Sequence, residues 1–269
     1  MKERAIGVFD SGLGGLTVVR ELLAALPGED IVYFGDTGRV PYGSRSREAL
    51  EEYARQDQRF LLSQDVKLVI AACGTVSSVV PYVGEELPVP FLGVVSPAAD
   101  AAVQATRNGK IGVIGTIATI ASKAYGRELL KRSPGLTISE RACPLFVPLV
   151  EAGWFGESDE VALLTARRYL EGLKEEGVDT LILGCTHYPI LTGVIRRVMG
   201  EEPVLINTGK TAAAAAGALL REKGLLNPRA AGGRCRYFVS DRTEDFARLA
   251  GVFLSRPVDE VQRVDITAY

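Results

Sequence analysis

None of the four cysteines, Cys73, Cys143, Cys185 and Cys235, forms a C-x-x-C pair, and the chain has a single histidine. That spacing argues against a cysteine-based metal site and against a disulfide framework. No apolar run approaches the roughly 18–20 residues that a membrane helix needs. The charged start, Met1 to Arg4, leads into an apolar stretch that breaks at Asp10 and Ser11, too soon for a secretory signal. Aromatic residues make up only 7%, and the net charge is −2, so neither nucleic acid nor an anionic membrane is attracted electrostatically. The short basic runs, Arg45-Ser46-Arg47 and Arg196-Arg197, read as solvated helix faces. These absences predict a cytoplasmic protein with reduced thiols.

What is present is an alternation of short β-branched runs with Ala-, Leu- and Glu-rich stretches over 269 residues, enough for one or two α/β domains. Residues 5–9, 30–34, 68–72, 91–95, 110–114, 137–141, 180–183, 203–206 and 236–240 read as strands. Residues 16–25, 46–64, 157–176 and 211–223 read as helices. Nearly continuous apolar strands between helices predict a doubly wound α/β fold with parallel sheets.

The pattern also repeats. Ile6-Gly7-Val8-Phe9-Asp10-Ser11-Gly12 runs from a strand into a small-residue loop, and Ile111-Gly112-Val113-Ile114-Gly115-Thr116 does the same. Downstream of the first, Leu68–Thr75 ends in Cys73-Gly74-Thr75; downstream of the second, Leu181–Thr186 ends in Gly184-Cys185-Thr186. Such doubling predicts two similar lobes. Strand-end loops gather at the carboxyl edge of a parallel sheet, where ligands bind. Two facing lobes then place Cys73 and Cys185 on opposite walls of one cleft.

Two thiols across a cleft suit proton transfer at carbon, which needs an acid and a base on opposite faces. A thiol's ordinary pKa of about 8.5 can be lowered toward neutrality by its surroundings. Each cysteine has a neighbour able to hold a proton: Asp10 ends the first strand beside Cys73, and His187 lies two residues past Cys185. A cysteine at a strand end is by default a packing residue, and Cys143 and Cys235 are read that way. Nucleotide motifs fail on spacing. Gly209-Lys210-Thr211 mimics a P-loop end but lacks its first glycine at Val204, the glycines at 12, 14 and 15 do not make G-x-G-x-x-G, and no G-x-S-x-G occurs.

Five stretches in order, Phe9–Gly15, Asp36–Gly43, Cys73-Gly74-Thr75, Cys143–Glu151 and Gly184–Pro189, resemble the glutamate racemases of the aspartate/glutamate racemase family over nearly the whole chain. The resemblance implies that Cys73 and Cys185 are the paired acid/base residues. The first takes the proton from the D-enantiomer and the second from the L-enantiomer, with Asp10 and His187 assisting and Glu151 a further helper. It implies substrate contacts from Asp10, Ser11, Pro41, Tyr42, Gly43, Gly74, Thr75, Thr116, Thr119, Thr186 and His187. The two threonines at 116 and 119 would hold a carboxylate at a loop opening a helix. It implies no metal and no other cofactor, glutamate as substrate, a homodimer, and a product that feeds peptidoglycan synthesis. The expected lobes are 1–97 with 208–269, on the Cys73 side, and 98–207, on the Cys185 side. Gly74 stands where the family usually has Asn, which leaves room for aspartate or another small acid as substrate. A two-lobed amino-acid binding module would fit the architecture equally.

Overall fold

The computed structural model describes residues 1–258 and 260–269, with backbone alone at 245 and 248. Its strands are β1 (Ile6–Asp10), β2 (Ile31–Gly35), β3 (Leu68–Ala71), β4 (Phe91–Gly93), β5 (Lys110–Gly115), β6 (Thr137–Ala142), β7 (Thr180–Leu183), β8 (Val204–Asn207), β9 (Cys235–Val239) and β10 (Val261–Arg263). They form two sheets, ordered β10-β9-β2-β1-β3-β4 and β6-β5-β7-β8. Every ladder is parallel. Helices cover both sheets, giving the expected doubly wound, two-lobed α/β fold. The central strands β1, β3 and β7 are buried along their whole length, which is why they carry apolar residues without alternation.

The orders β2-β1-β3-β4 and β6-β5-β7-β8 are the same arrangement. In each, the chain runs from the first strand to one neighbour and then crosses to the other side, so the winding direction reverses beside the cysteine-bearing strand. The registers agree as well: Phe9 pairs with Ala71, and Ile114 with Leu183. Cys73 and Cys185 each lie two residues past those pairs, at equivalent positions.

Helix boundaries follow their caps. Ser46 accepts the Ala49 N–H at 3.2 Å and starts the helix Arg47–Ser63. Asp159 accepts from Ala162 at 2.9 Å and moves the expected start at 157 to the helix Glu160–Glu175. Asn207 accepts from Gly209 and Lys210, so the helix Thr208–Glu222 begins three residues earlier than periodicity suggests. That helix packs on Leu16–Ala25 of the first lobe. Its buried small side chains, Ala212, Ala213 and Ala216, let the two approach closely, and Gly209 lies where a Cβ would meet Val18 Cα at 3.2 Å. The run 91–95 is a shorter strand than expected, because Val95 already opens the helix Val95–Ala105. Strand β10 was not expected: three largely exposed residues at a sheet edge leave no apolar pattern.

At the amino-terminal end of the first sheet's strands, opposite the edge that carries Cys73, Lys67 and Glu29 form a buried ion pair at 2.5 Å. The Lys67 ammonium also donates to the Lys2 carbonyl, and Glu29 accepts the Asn227 N–H at 2.8 Å. Removing one member of such a pair leaves the other charge buried and uncompensated. Lys67→Met is expected to lower unfolding free energy in urea by about 3–5 kcal/mol, and Lys67→Met with Glu29→Gln by clearly less. Equal losses in both variants would show that the charge is not the issue.

Candidate active site

Cys73 and Cys185 open onto one cavity of about 360 Å³ between the lobes, near the lower end of ligand pockets in general. Ser11, Pro41, Tyr42, Gly43, Gly74 and Thr75 line it from the first lobe. Glu151, Thr116, Thr186 and His187 line it from the second. The sequence pattern therefore brought together nearly every residue singled out for the site. Cys143 and Cys235 lie outside the cavity; the first is fully buried and the second half-buried. A more open hollow of about 550 Å³ lies beside Gly38 and Arg263, away from both cysteines. Its Arg39 is already committed to Asp36 and Asp57.

Three expected residues take other positions than direct contact would require. Asp10 is fully buried and off the cavity wall; one carboxylate oxygen accepts the Gly12 N–H at 3.0 Å, and the other has no hydrogen-bond partner among the described residues. Thr119 is also buried and off the wall. Its N–H donates to Thr116 Oγ1 at 3.2 Å and its hydroxyl accepts from Thr116 at 3.0 Å, so it fixes the Thr116 cap. Tyr42 reaches the wall, but its hydroxyl donates to Asp36 and lies 3.2 Å from an Asp57 oxygen. Arg39 closes that buried cluster by pairing with both carboxylates. The Asp36–Arg39–Tyr42–Asp57 network, which anchors the loop carrying the cis Val40–Pro41 bond, went unnoticed in the sequence although three of its members lie in the Asp36–Gly43 stretch. The apolar wall formed by Val147 and Pro148 was likewise missed, inside the Cys143–Glu151 stretch.

The lobes meet tightly around the cysteines. Thr17 donates to the Thr186 carbonyl at 2.9 Å, and the hydroxyls of Thr75 and Thr116 lie 3.1 Å apart across the seam. The Tyr33 hydroxyl donates to Gly12 O at 2.7 Å and holds the loop after β1. A Cβ on Gly14 would come within 2.5 Å of His187 Nδ1, so only glycine lets that loop pass the histidine.

The electrostatics of the two thiols differ. Burial pushes the Cys73 thiol up to about 12, and the nearby Asp10 carboxylate adds to it, outweighing help from Val76 N–H and the Ser11 hydroxyl. This corrects the expectation of a thiol lowered toward neutrality: in the closed cleft, lost solvation exceeds the local hydrogen bonds. Burial also raises Asp10, against the opposing pull of His187 and backbone N–H groups. At Cys185 the neighbour is an imidazole. His187 Nδ1 lies 4.0 Å from the Cys185 sulfur, and Nε2 lies 3.1 Å from a Glu151 oxygen. Burial works against a charged His187, but Cys185 and Glu151 outweigh it and hold its pKa at about 10. Among the described residues, His187 is the only cationic side chain on the cavity wall, which carries no lysine or arginine.

His187 is therefore expected to stay protonated through neutral pH. Because its pKa is raised on folding, the stability it contributes is full below about 6.5 and is lost as pH rises through about 10. An NMR titration of this single imidazole should show a midpoint near 10. Glu151→Gln should move that midpoint down, and a wild-type midpoint near 6.5 would mean the two partners do not act on the ring.

Comparison with known proteins agrees with this geometry. Residues 6–216 match the family model described as Asp/Glu/Hydantoin racemase. A glutamate racemase from Geobacter metallireducens is 46% identical over 269 residues, covering 100% of this chain and 99% of that one. Among solved structures, glutamate racemase from Francisella tularensis in complex with D-glutamate superposes with a TM-score of 0.92 at 35% identity, covering 100% of both chains. The Thermus thermophilus enzyme in complex with β-chloro-D-alanine gives 0.89 at 43% identity, covering 100% of this chain and 99% of that one. Matched along its length in sequence and in fold, the chain belongs to the aspartate/glutamate racemase family.

Proposed function

We propose that this chain is a glutamate racemase that interconverts L- and D-glutamate without a cofactor, by proton transfer between two cysteines. The observation that carries this reading is that Cys73 and Cys185, at equivalent switch points of two like sheets, open onto one cavity from opposite lobes. With L-glutamate, the Cys185 thiolate removes the α-proton while the Cys73 thiol delivers one to the opposite face; D-glutamate reverses the roles. Protonation of Cys73 in the closed cleft suits it to the donor half. A positive His187 stabilises charge on the Cys185 sulfur whenever a step generates it, and Glu151 orients the ring through Nε2. Asp10 lies buried on the Cys73 side, and burial lifts its carboxyl above the ordinary carboxylate range, toward a group that can exchange a proton.

Hydroxyls of Ser11, Thr75, Thr116 and Thr186, with backbone groups of Pro41-Tyr42-Gly43 and Gly74, surround the substrate; Thr119 acts through Thr116. The likeness to glutamate racemases along the whole chain favours glutamate over aspartate. Among the described residues no helix is long and apolar enough to cross a membrane. The family likeness supports a homodimer working in the cytoplasm and supplying D-glutamate for peptidoglycan.

Cys73→Ala and Cys185→Ala are each expected to lower racemisation of both enantiomers by about 10²–10⁴-fold, followed by circular dichroism of the amino acid. The wild-type protein in D₂O should introduce deuterium at the glutamate α-carbon, and much more slowly at that of aspartate. Binding without deuterium uptake would identify an amino-acid binding module, and full activity in either variant would remove that thiol from the reaction.

A further inference from the structure

Gly74 immediately follows Cys73, and Gly184 immediately precedes Cys185. The two glycines face each other across the seam. A Cβ built on Gly74 would fall far inside contact with the Gly184 carbonyl oxygen, 3.3 Å from its carbon and 3.7 Å from Cys185 Cα. The obstacle is backbone, so no side-chain rotation relieves it. Nor can Gly184 retreat alone. Its N–H donates to Ile114 O at 2.7 Å, and the place of its own Cβ lies 2.7 Å from that same oxygen and 3.1 Å from the Tyr125 ring. Gly184 is pinned to the second sheet from behind while Gly74 presses it from the front.

We infer that Gly74 is a positioning residue: its missing side chain lets backbone meet backbone beside the two cysteines and thereby sets how closely the thiol-bearing lobes close. The inference rests on the two-cysteine reading above. Nonbonded carbon and oxygen need on the order of 3 Å or more, so any β-carbon at 74 would hold the seam open by on the order of an ångström. A displacement of that size at reacting groups costs about 10²-fold in rate. The place of a β-carbon is taken here by the Gly184 carbonyl, so position 74 contributes closure in place of a side-chain contact. Substrate recognition on this wall then falls to the hydroxyls of Thr75 and Thr116, which already touch across the cleft at 3.1 Å.

The test is the series Gly74→Ala, Gly74→Ser and Gly74→Asn, assayed for kcat and KM in both directions beside the wild type. All three share the β-carbon, so all three should lose about 10–100-fold in kcat, with KM changing far less and the melting temperature held. If side-chain chemistry governed the position instead, Asn would stand apart with lower KM and undiminished kcat, and the inference fails. It also fails if kcat stays within twofold across the series, or if the variants unfold, since the contact would then belong to a lobe interior and not to a seam able to open. Absence of racemisation by the wild type would overturn the functional reading itself, whereas an active wild type with indifferent variants overturns only the role of Gly74.

Discussion

A proton can leave one face of a carbon and return to the other without the substrate turning over when two acid–base groups flank it at reach distance. No single strand end can supply both. The chain meets this constraint by building the same four-strand arrangement twice and facing the copies across a cleft. Equivalence of register then places each cysteine two residues beyond a paired strand end, at the edge where the winding reverses. Much else in the molecule serves that opposition. The helix Thr208–Glu222 crosses on an alanine face to tie the lobes together, and the loop after β1 passes His187 at a glycine.

Topological symmetry is not carried into electrostatics. Burial and the Asp10 carboxylate favour the neutral thiol at Cys73, whereas Cys185 has an imidazole that Cys185 itself and Glu151 hold positive against burial. Such opposed environments are what assign acid and base roles in a site with two like groups. Burial acts on all of them, and what differs is the charge of the nearest neighbour. A two-directional reaction tolerates this asymmetry because each turnover exchanges the protonation states of the pair, so the favoured resting state influences balance between directions more than it decides whether transfer occurs.

Much of this was legible in the sequence, for physical reasons. Strands β1, β3, β5 and β7 are buried in parallel sheets and so read as apolar runs, and the cysteines at their ends are visible as interruptions of those runs. Asp10 could be found because it ends β1, and His187 because it lies two residues past Cys185 in the loop after β7. What escaped was of a different kind. Strand β10 gains its place from pairing to β9 rather than from its own pattern. The tie of Tyr42 to Asp36 and Asp57 joins residues six and fifteen positions apart, across a loop and onto a separate helix, which no local spacing announces. The direction of the Cys73 shift depends on burial, a property of the closed cleft and not of the motif.

The cavity wall explains why closure matters so much here. A dicarboxylate would ordinarily be gripped by arginine or lysine, yet among the described residues the only cationic side chain on this wall is His187, committed on its two nitrogens to Cys185 and Glu151. Neutral donors such as the hydroxyls of Thr75, Thr116 and Thr186 are weak in water and become effective only where water is excluded. Their strength therefore depends on how completely the lobes meet. The same closure that brings the thiols to the substrate also lowers the dielectric in which the hydroxyls and backbone N–H groups act. Recognition and proton transfer then both depend on how closely the lobes meet, which the approach of Gly74 to the Gly184 carbonyl sets.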